Sequence, residues 1–231
     1  MSDAPPLHGY RGPLLANAML RPRGLTVALT REAGSGGVPI AEAVGRLLGW
    51  QTLDQDVLDY LTSDETAQGE LLADVPTDAR AWAEARLATL LAERNLTPGT
   101  EPAELARFAL TLAARGSIVL VSTVAGFLLP PETTVHVRVV APLGYRIGHL
   151  AARNRLTDEE AAEEARDLDR RRSRVLAEVV GKDTADASEY DLVLNAERLG
   201  VDGCATLIAA AVRAKQAHLA EEESDDEVPS A

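Results

Sequence analysis

Arg31-Glu32-Ala33-Gly34-Ser35-Gly36-Gly37 is the stretch of this 231-residue chain whose residue types and order suit chemistry. It follows an apolar run, Leu25 to Leu29, and leads into a helical pattern from Ile40. A strand, a glycine-rich turn and a helix in that order make a phosphate cradle. Gly34, Gly36 and Gly37 let backbone N–H groups turn towards an anion, and the helix N-terminus adds partial positive charge. Such a loop commonly ends Gly-Lys-Ser/Thr, with the lysine on the phosphates and the hydroxyl on Mg²⁺. Here Val38 and Pro39 follow Gly37. Ser35 has a hydroxyl to offer either a phosphate or the turn itself. Pro39 suits the first helical position, though its ring removes one N–H donor from the cradle. The same glycines also suit a tight strand-to-helix turn that only needs positive φ.

A second constellation is Arg166-Asp167-Leu168-Asp169-Arg170-Arg171-Arg172-Ser173-Arg174, with five arginines in nine residues. At helical spacing Ala161, Ala165, Leu168, Val175 and Val179 form an inward stripe, and Arg172 falls on it. A guanidinium on an apolar face needs a phosphate or carboxylate partner, and Asp169 stands three residues before it. Arg166, Arg170 and Arg171 read as a solvated face, where an Asp167–Arg171 pair is worth ~0.3 kcal/mol. Arg146, Arg153 and Arg155 flank the turn before the next helix. An arginine-bearing flap there is the form a phosphate lid takes, and ordinary surface charge is the alternative. Asp54 ends a short strand-like run, where α/β proteins place ligands. It suits a nucleoside, a water-mediated Mg²⁺ contact, or the N-cap of the next helix. His136 and Cys204 read as core residues.

The elements that must position these groups alternate. Strands are expected at 25–30, 50–53, 117–121, 134–140 and 190–195. Helices are expected at 39–48, 55–61, 78–94, 100–116, 143–153, 157–180 and 201–219. Thr157 and Glu160 form a capping box, and Gly181 stops the helix it opens. This order predicts an α/β domain with a mostly parallel sheet. The chain divides into a flexible leader at 1–23, a domain at 24–219 and a disordered acidic tail at 220–231. Within the domain, 62–100 reads as a divergent helical insert and 143–181 as the lid.

The net charge is −13, and Glu221 to Glu227 alone holds six acidic residues. An acidic body argues against a nucleic-acid partner, whose backbone needs a basic surface. Aromatics are 3% of the chain, so Leu, Val and Ala must build the core. No apolar run reaches the roughly 18 residues of a membrane span, so no membrane partner is expected. Cys204 is the only cysteine, which excludes an internal disulfide and suits a reducing cytoplasm. One cysteine and four scattered histidines make no metal cluster, so no protein metal site is expected.

In order, six segments resemble the cytidylate kinase-like family of P-loop nucleotide kinases. They are Val27 to Gly37, Ile40 to Gly49, Val135 to Pro142, Leu156 to Ala161, Asp169-Arg170 with Arg172, and Tyr190 to Asn195. The resemblance implies a three-layer P-loop NTPase-like α/β fold with a helical lid. It implies ATP and Mg²⁺ as cofactors and a nucleoside monophosphate, CMP or dCMP, as substrate. A homodimer is among the assemblies it allows. Gly34, Ser35, Gly36 and Gly37 would surround the ATP phosphates. Arg31 would stand beside them, where this branch replaces the loop's first glycine. Arg153, Arg155, Asp169 and Arg172 would serve the lid and acceptor phosphate, and Asp54 the substrate. Two departures matter. The branch commonly reads Gly-Gly-Arg-Glu where this chain has Gly36-Gly37-Val38-Pro39. It often has Gly-Arg where this chain has Ser122-Thr123. Each missing cation removes charge stabilisation on the order of 2–4 kcal/mol. Three functions follow: an ATP-dependent CMP kinase-like phosphotransferase, a catalytically impaired nucleotide-binding or regulatory protein derived from one, and a scaffold using 62–100 or the acidic tail.

Overall fold

The structure is a computed structural model that describes residues 22, 24–94, 96–181 and 185–226. The expected leader, Pro22 apart, and residues 227–231 of the expected tail lie outside them. Five strands form one sheet: β1 (Thr26–Arg31), β2 (Gln51–Leu53), β3 (Ile118–Val121), β4 (Thr134–Val140) and β5 (Leu192–Asn195). Their order is β2-β3-β1-β4-β5, and every pairing is parallel. β1 is central, with Thr26 paired to Ile118 on one side and Thr134 on the other. All of it but Arg31 is buried, because helices cover both its faces.

On one face lie α1 (Gly37–Leu48) and α9 (Ala196–Asp226). Ile40, Val44, Cys204, Ile208 and Val212 pack there against Val27, Leu29 and Val137. On the other lie α4 (Thr77–Arg94), α5 (Glu101–Arg115) and α6 (Ala125–Leu128). Trp82, Leu87, Phe108, Leu112 and Phe127 meet Ile118 and Leu120 there. The result is a three-layer α/β fold. β1 hands on through α1 to one side of the sheet, and β4 returns on the other. The crevice at the carboxyl end of β1 is therefore the topological switch point, where such sheets bind ligands.

Two helices stand over that crevice, α7 (Leu143–Asn154) and α8 (Asp158–Val180). The capping box is present: Thr157 Oγ1 accepts the Glu160 N–H and Glu160 Oε2 accepts the Thr157 N–H. Gly181 ends α8 at φ 67°. Leu150, Ala161 and Ala165 form a small core of their own with Ala33 of the loop. The C-terminal part of α8 runs on to the sheet, where Leu176 is fully buried.

Residues 62–100 resolve into more helix than their pattern announces. α2 (Gln55–Ser63) and α3 (Glu65–Ala73) precede α4. Asp54 caps α2 by accepting the Val57 N–H at 2.9 Å, and Asp64 caps α3 through Thr66 and Ala67. Helix α9 starts before the expected Val201 and outlasts the expected Leu219. At its start Gly200 (φ 67°, ψ 175°) breaks the helical geometry. At its end no glycine or proline falls between Gly203 and Pro229, and glutamate is a good helix former. Among the described residues no helix is long and apolar enough to cross a membrane.

His136 of β4 is a core histidine. Its Nδ1 lies 2.8 Å from Glu189 O, which places the proton there, and Nε2 lies 3.2 Å from Thr30 Oγ1. A Cβ on Gly126 would lie 2.1 Å from the His136 ring, so glycine is required opposite it. Burial pushes the imidazole pKa down to about 4. The unfolded chain takes up that proton near 6.5, so acid favours unfolding. The contribution of neutral His136 is full above pH 6.5 and is lost as pH falls to about 4. Its size is on the order of 3 kcal/mol. The thermal midpoint should therefore drop between pH 6.5 and 4. The His136→Gln variant should show a shallower drop and a lower midpoint at pH 7, both read by circular dichroism.

Candidate functional site

The loop leaves β1 at Arg31, and its three glycines answer three different demands. Gly34 has φ 76°, and a Cβ there would sit 2.4 Å from Arg146 O and 3.0 Å from Leu150 Cγ. It is glycine because α7 lies directly on it. Gly36 has φ 80° as the N-cap of α1, and nothing lies within 4 Å of its Cβ position. That open space is at a helix N-terminus, where backbone N–H groups favour an anion. Gly37 lies beneath Arg31, whose Cδ would be 2.8 Å from a Cβ at Gly37. Ser35 is fully buried, and its hydroxyl donates to Glu32 O at 2.9 Å. Its hydroxyl is spent on the turn.

Between loop and lid lies a cleft of about 340 Å³. Arg31, Gly36, Gly37, Arg153 and Arg172 line it, with Val38 and Pro39 on the loop side and Asp56 opposite. The structure thus brings Arg153 of α7 and Arg172 of α8 to the glycine turn. Arg155 caps α7 in the left-handed region (φ 58°), is exposed, and does not line the cleft. Arg31 titrates at about 10 because burial opposes its charge. Arg172 and Arg153 add to that effect, while Asp54 and Asp56 oppose it. Burial also lowers the Arg172 pKa, against the pull of Asp169, and Arg172 Nη1 donates to Arg31 O at 3.3 Å.

Asp169 faces the loop. Its Oδ1 accepts the Ala33 N–H at 2.8 Å, and its Oδ2 accepts from Arg146 Nη1 at 2.6 Å. Arg146 also donates to Ala33 O at 3.2 Å and lies 3.6 Å from Glu32. Glu32 in turn accepts the Ala141 N–H at 3.1 Å, which ties the loop to the end of β4. Arg146 and Glu32 are thus structural keystones of the site. The sequence signal for Arg146 was its place in the lid's arginine set. Arg138 was missed altogether, although a charge in the valine-rich run Thr134–Val140 marks it.

A second cavity of about 460 Å³ opens at the carboxyl end of β3. Leu58, Phe108, Leu112 and Val175 give it apolar walls, and Ser122 and Thr123 form its inner end. Ser122 Oγ accepts the Val124 and Ala125 N–H groups. Arg107 at its rim is already paired to Glu84 at 2.8 Å and Glu104 at 3.5 Å. The open turn at Gly36 and the surrounding guanidiniums fit the phosphates of ATP. For Mg²⁺ the donor set is sparse. Among the described residues no three His, Cys, Asp or Glu side chains group together, and Ser35 is committed. Of the cleft's carboxylates, Glu32 and Glu164 are tied to Arg146 and Asn154, which leaves Asp56, so nucleotide oxygens would hold most of the ion's coordination.

A parallel α/β sheet with a glycine-rich turn leading into a helix at its switch point makes a P-loop-like α/β fold. Residues 26–198 match the cytidylate kinase-like family, and the chain belongs to it. It is 32% identical over 101 residues to the cytidylate kinase of Natronomonas pharaonis, covering 44% of this chain. The aligned part is 53% of that relative, so the match spans about half its length. Among solved structures, an uncharacterized protein from Eubacterium ventriosum shares the fold with a TM-score of 0.56. That likeness covers 82% of this chain and 98% of the other at 14% identity.

The glycines give a direct comparison. Gly34→Ala and Gly36→Ala carry similar left-handed strain, about 1–2 kcal/mol each, but only Gly34→Ala collides with α7. Chemical denaturation should find Gly34→Ala clearly less stable than Gly36→Ala. Proteolysis should cut its α7–α8 region faster.

Proposed function

We propose that this chain is an ATP-dependent nucleoside monophosphate kinase with CMP or dCMP as acceptor. The observation that carries the reading is the convergence of Arg31, Arg153 and Arg172 on the cleft at Gly36 and Gly37. Membership of the cytidylate kinase-like family supports it. In this reading the N–H groups at Gly36 and Gly37, with the α1 N-terminus, hold the donor phosphates. Phosphoryl transfer spreads charge over oxygens, so the protein's work is positioning and charge stabilisation. Arg153 and Arg172 supply that charge from the lid, and Arg31 from the loop. The 460 Å³ cavity takes the acceptor's base and sugar, with Asp54 near its mouth. Asp169 keeps loop and lid in register, and Arg155 stands exposed at the end of α7, outside the cleft. Mg²⁺ would bridge the donor phosphates beside Asp56.

A second reading rests on Val38-Pro39 and Ser122-Thr123, which leave two customary cation positions empty of charge. It makes the chain a nucleotide-binding or regulatory protein without turnover. A transfer assay separates the two. With Mg²⁺ and ATP, the kinase reading expects CMP or dCMP to be phosphorylated faster than other nucleoside monophosphates. Arg172→Ala should then lower kcat on the order of 10²–10³-fold. Nucleotide binding without transfer to any monophosphate would establish the second reading instead.

A further inference from the structure

We infer that Tyr145 and His149 of α7 form a platform for the base of the donor nucleotide, one that holds the base by stacking and leaves its edges unread. The inference deepens the phosphotransferase reading and rests on it for the donor's identity. The two rings stack on each other, with centroids 4.3 Å apart and planes at 27°. His149 is exposed and lines the loop–lid cleft. Tyr145, one helical turn earlier, is half-buried.

The chain has few rings to spare. Aromatics are 3% of its residues, and Trp82, Phe108, Phe127 and Tyr190 are spent on the core. Tyr145 belongs to none of the apolar clusters among the described residues. Among those residues the pair is held by stacking alone, with no hydrogen bond to either ring. A surface pair at this spacing adds only a little to the stability of a helix. A π-face on the wall of a nucleotide cleft does more, because every base stacks on such a face.

Two glycines beside the pair point the same way. Gly144 and Gly148 lie within α7 and are exposed. Neither has the positive φ that calls for glycine. No packing contact calls for it either, since nothing lies within 4 Å of the Cβ position at Gly144 or at Gly148. Glycine within a helix is nonetheless costly relative to alanine. Each stands one residue before a ring, so together they leave a strip of bare backbone along the platform. The protein itself does not use that room, and a base with its sugar fits along it.

Position ties the platform to the phosphate cradle. Arg146 and Leu150, one residue after each ring, seat α7 on the loop through Asp169, Ala33 and Gly34. That seat fixes the rotation of the helix. Tyr145, His149 and Arg153 then follow at steps of four residues, about 6 Å of rise each. Arg153 lines the cleft with Arg31 and Arg172, and its charge is felt at Arg31. A nucleoside triphosphate with its phosphates at Gly36 and Gly37 thus carries its sugar past Arg153 and lays its base on His149 and Tyr145. Beyond His149 the helix opens to solvent at Leu143, Gly144 and Gly148. The edges of the base meet water there. Donor choice then follows stacking area, with adenine and guanine alike and pyrimidines weaker.

Calorimetry on the full chain tests this with the Mg²⁺ complexes of ATP, GTP, CTP and tripolyphosphate. ATP and GTP should bind within about threefold of each other, and about tenfold more tightly than tripolyphosphate. CTP should fall between. Replacing both Tyr145 and His149 by Ala should weaken ATP about tenfold and leave tripolyphosphate within about twofold. His149→Phe, which keeps a π-face, should retain ATP binding. In ¹H NMR the His149 ring protons should shift with ATP and stay fixed with tripolyphosphate. Gly148→Leu should raise the thermal midpoint and weaken ATP, a combination that a purely structural glycine does not give. Tripolyphosphate bound as tightly as ATP by the wild type would overturn the platform. So would unchanged ATP affinity in the double alanine variant, or a preference for ATP over GTP beyond about tenfold, which marks edge readout. The kinase reading fails separately: ATP held on the platform by a protein that phosphorylates no monophosphate supports the platform and removes the enzyme.

Discussion

The peptide of Ala33 is held from both sides by the lid. Its N–H donates to Asp169 on α8, and its carbonyl accepts from Arg146 on α7. Its side chain lies in the small core between those helices. One residue later, the α7 backbone rests on Gly34 so closely that no side chain fits. Loop and lid are therefore a single seated unit, joined by charge-assisted hydrogen bonds that are partly shielded from water. Everything that makes the cleft a site follows from this seat. It fixes the turn at Gly36, and it delivers Arg153 and Arg172 to the same space.

A seated lid bears on the charge deficit that Val38 and Pro39 create. Losing a loop cation matters less if other cations are already in place, because preorganised charge needs no rearrangement during reaction. Arg31 lies flat over Gly37 and reaches the cleft from the opposite end of the loop. Its lowered pKa, at about 10, still leaves it charged at neutral pH. An acidic protein has here concentrated guanidiniums around one crevice, with Glu32 and Asp169 among them.

Much of this was legible in the sequence, and the failures have physical reasons. The β1–loop–α1 unit announced itself through an apolar run and its glycines, both of them local signals. The capping box at Thr157 was equally local. Helix α3 was not, because its apolar residues follow no clear helical stripe and only Asp64 marks its start. The glycines were legible as a turn but not as three separate demands, since Gly34 answers to α7, more than a hundred residues away. Ser35 looked available to a ligand, yet its hydroxyl closes the turn. Asp54 was read as a ligand contact or a helix cap, and its carboxylate is seen capping α2. Arg138 went unread because a strand pattern reveals a misplaced charge without revealing which helix will cross above it.

The central claim is that the open turn at Gly36 and the arginines above it hold nucleotide phosphates. Calorimetric titration of Mg²⁺–ATP into the wild-type chain and into Gly36→Asp tests it most directly. The variant has room for its side chain, since nothing lies within 4 Å of the Cβ position, and its thermal unfolding verifies that it is folded. The account predicts saturable ATP binding by the wild type and at least a tenfold loss when a carboxylate enters the cradle. No binding by the wild type, or equal binding by both proteins, would contradict it.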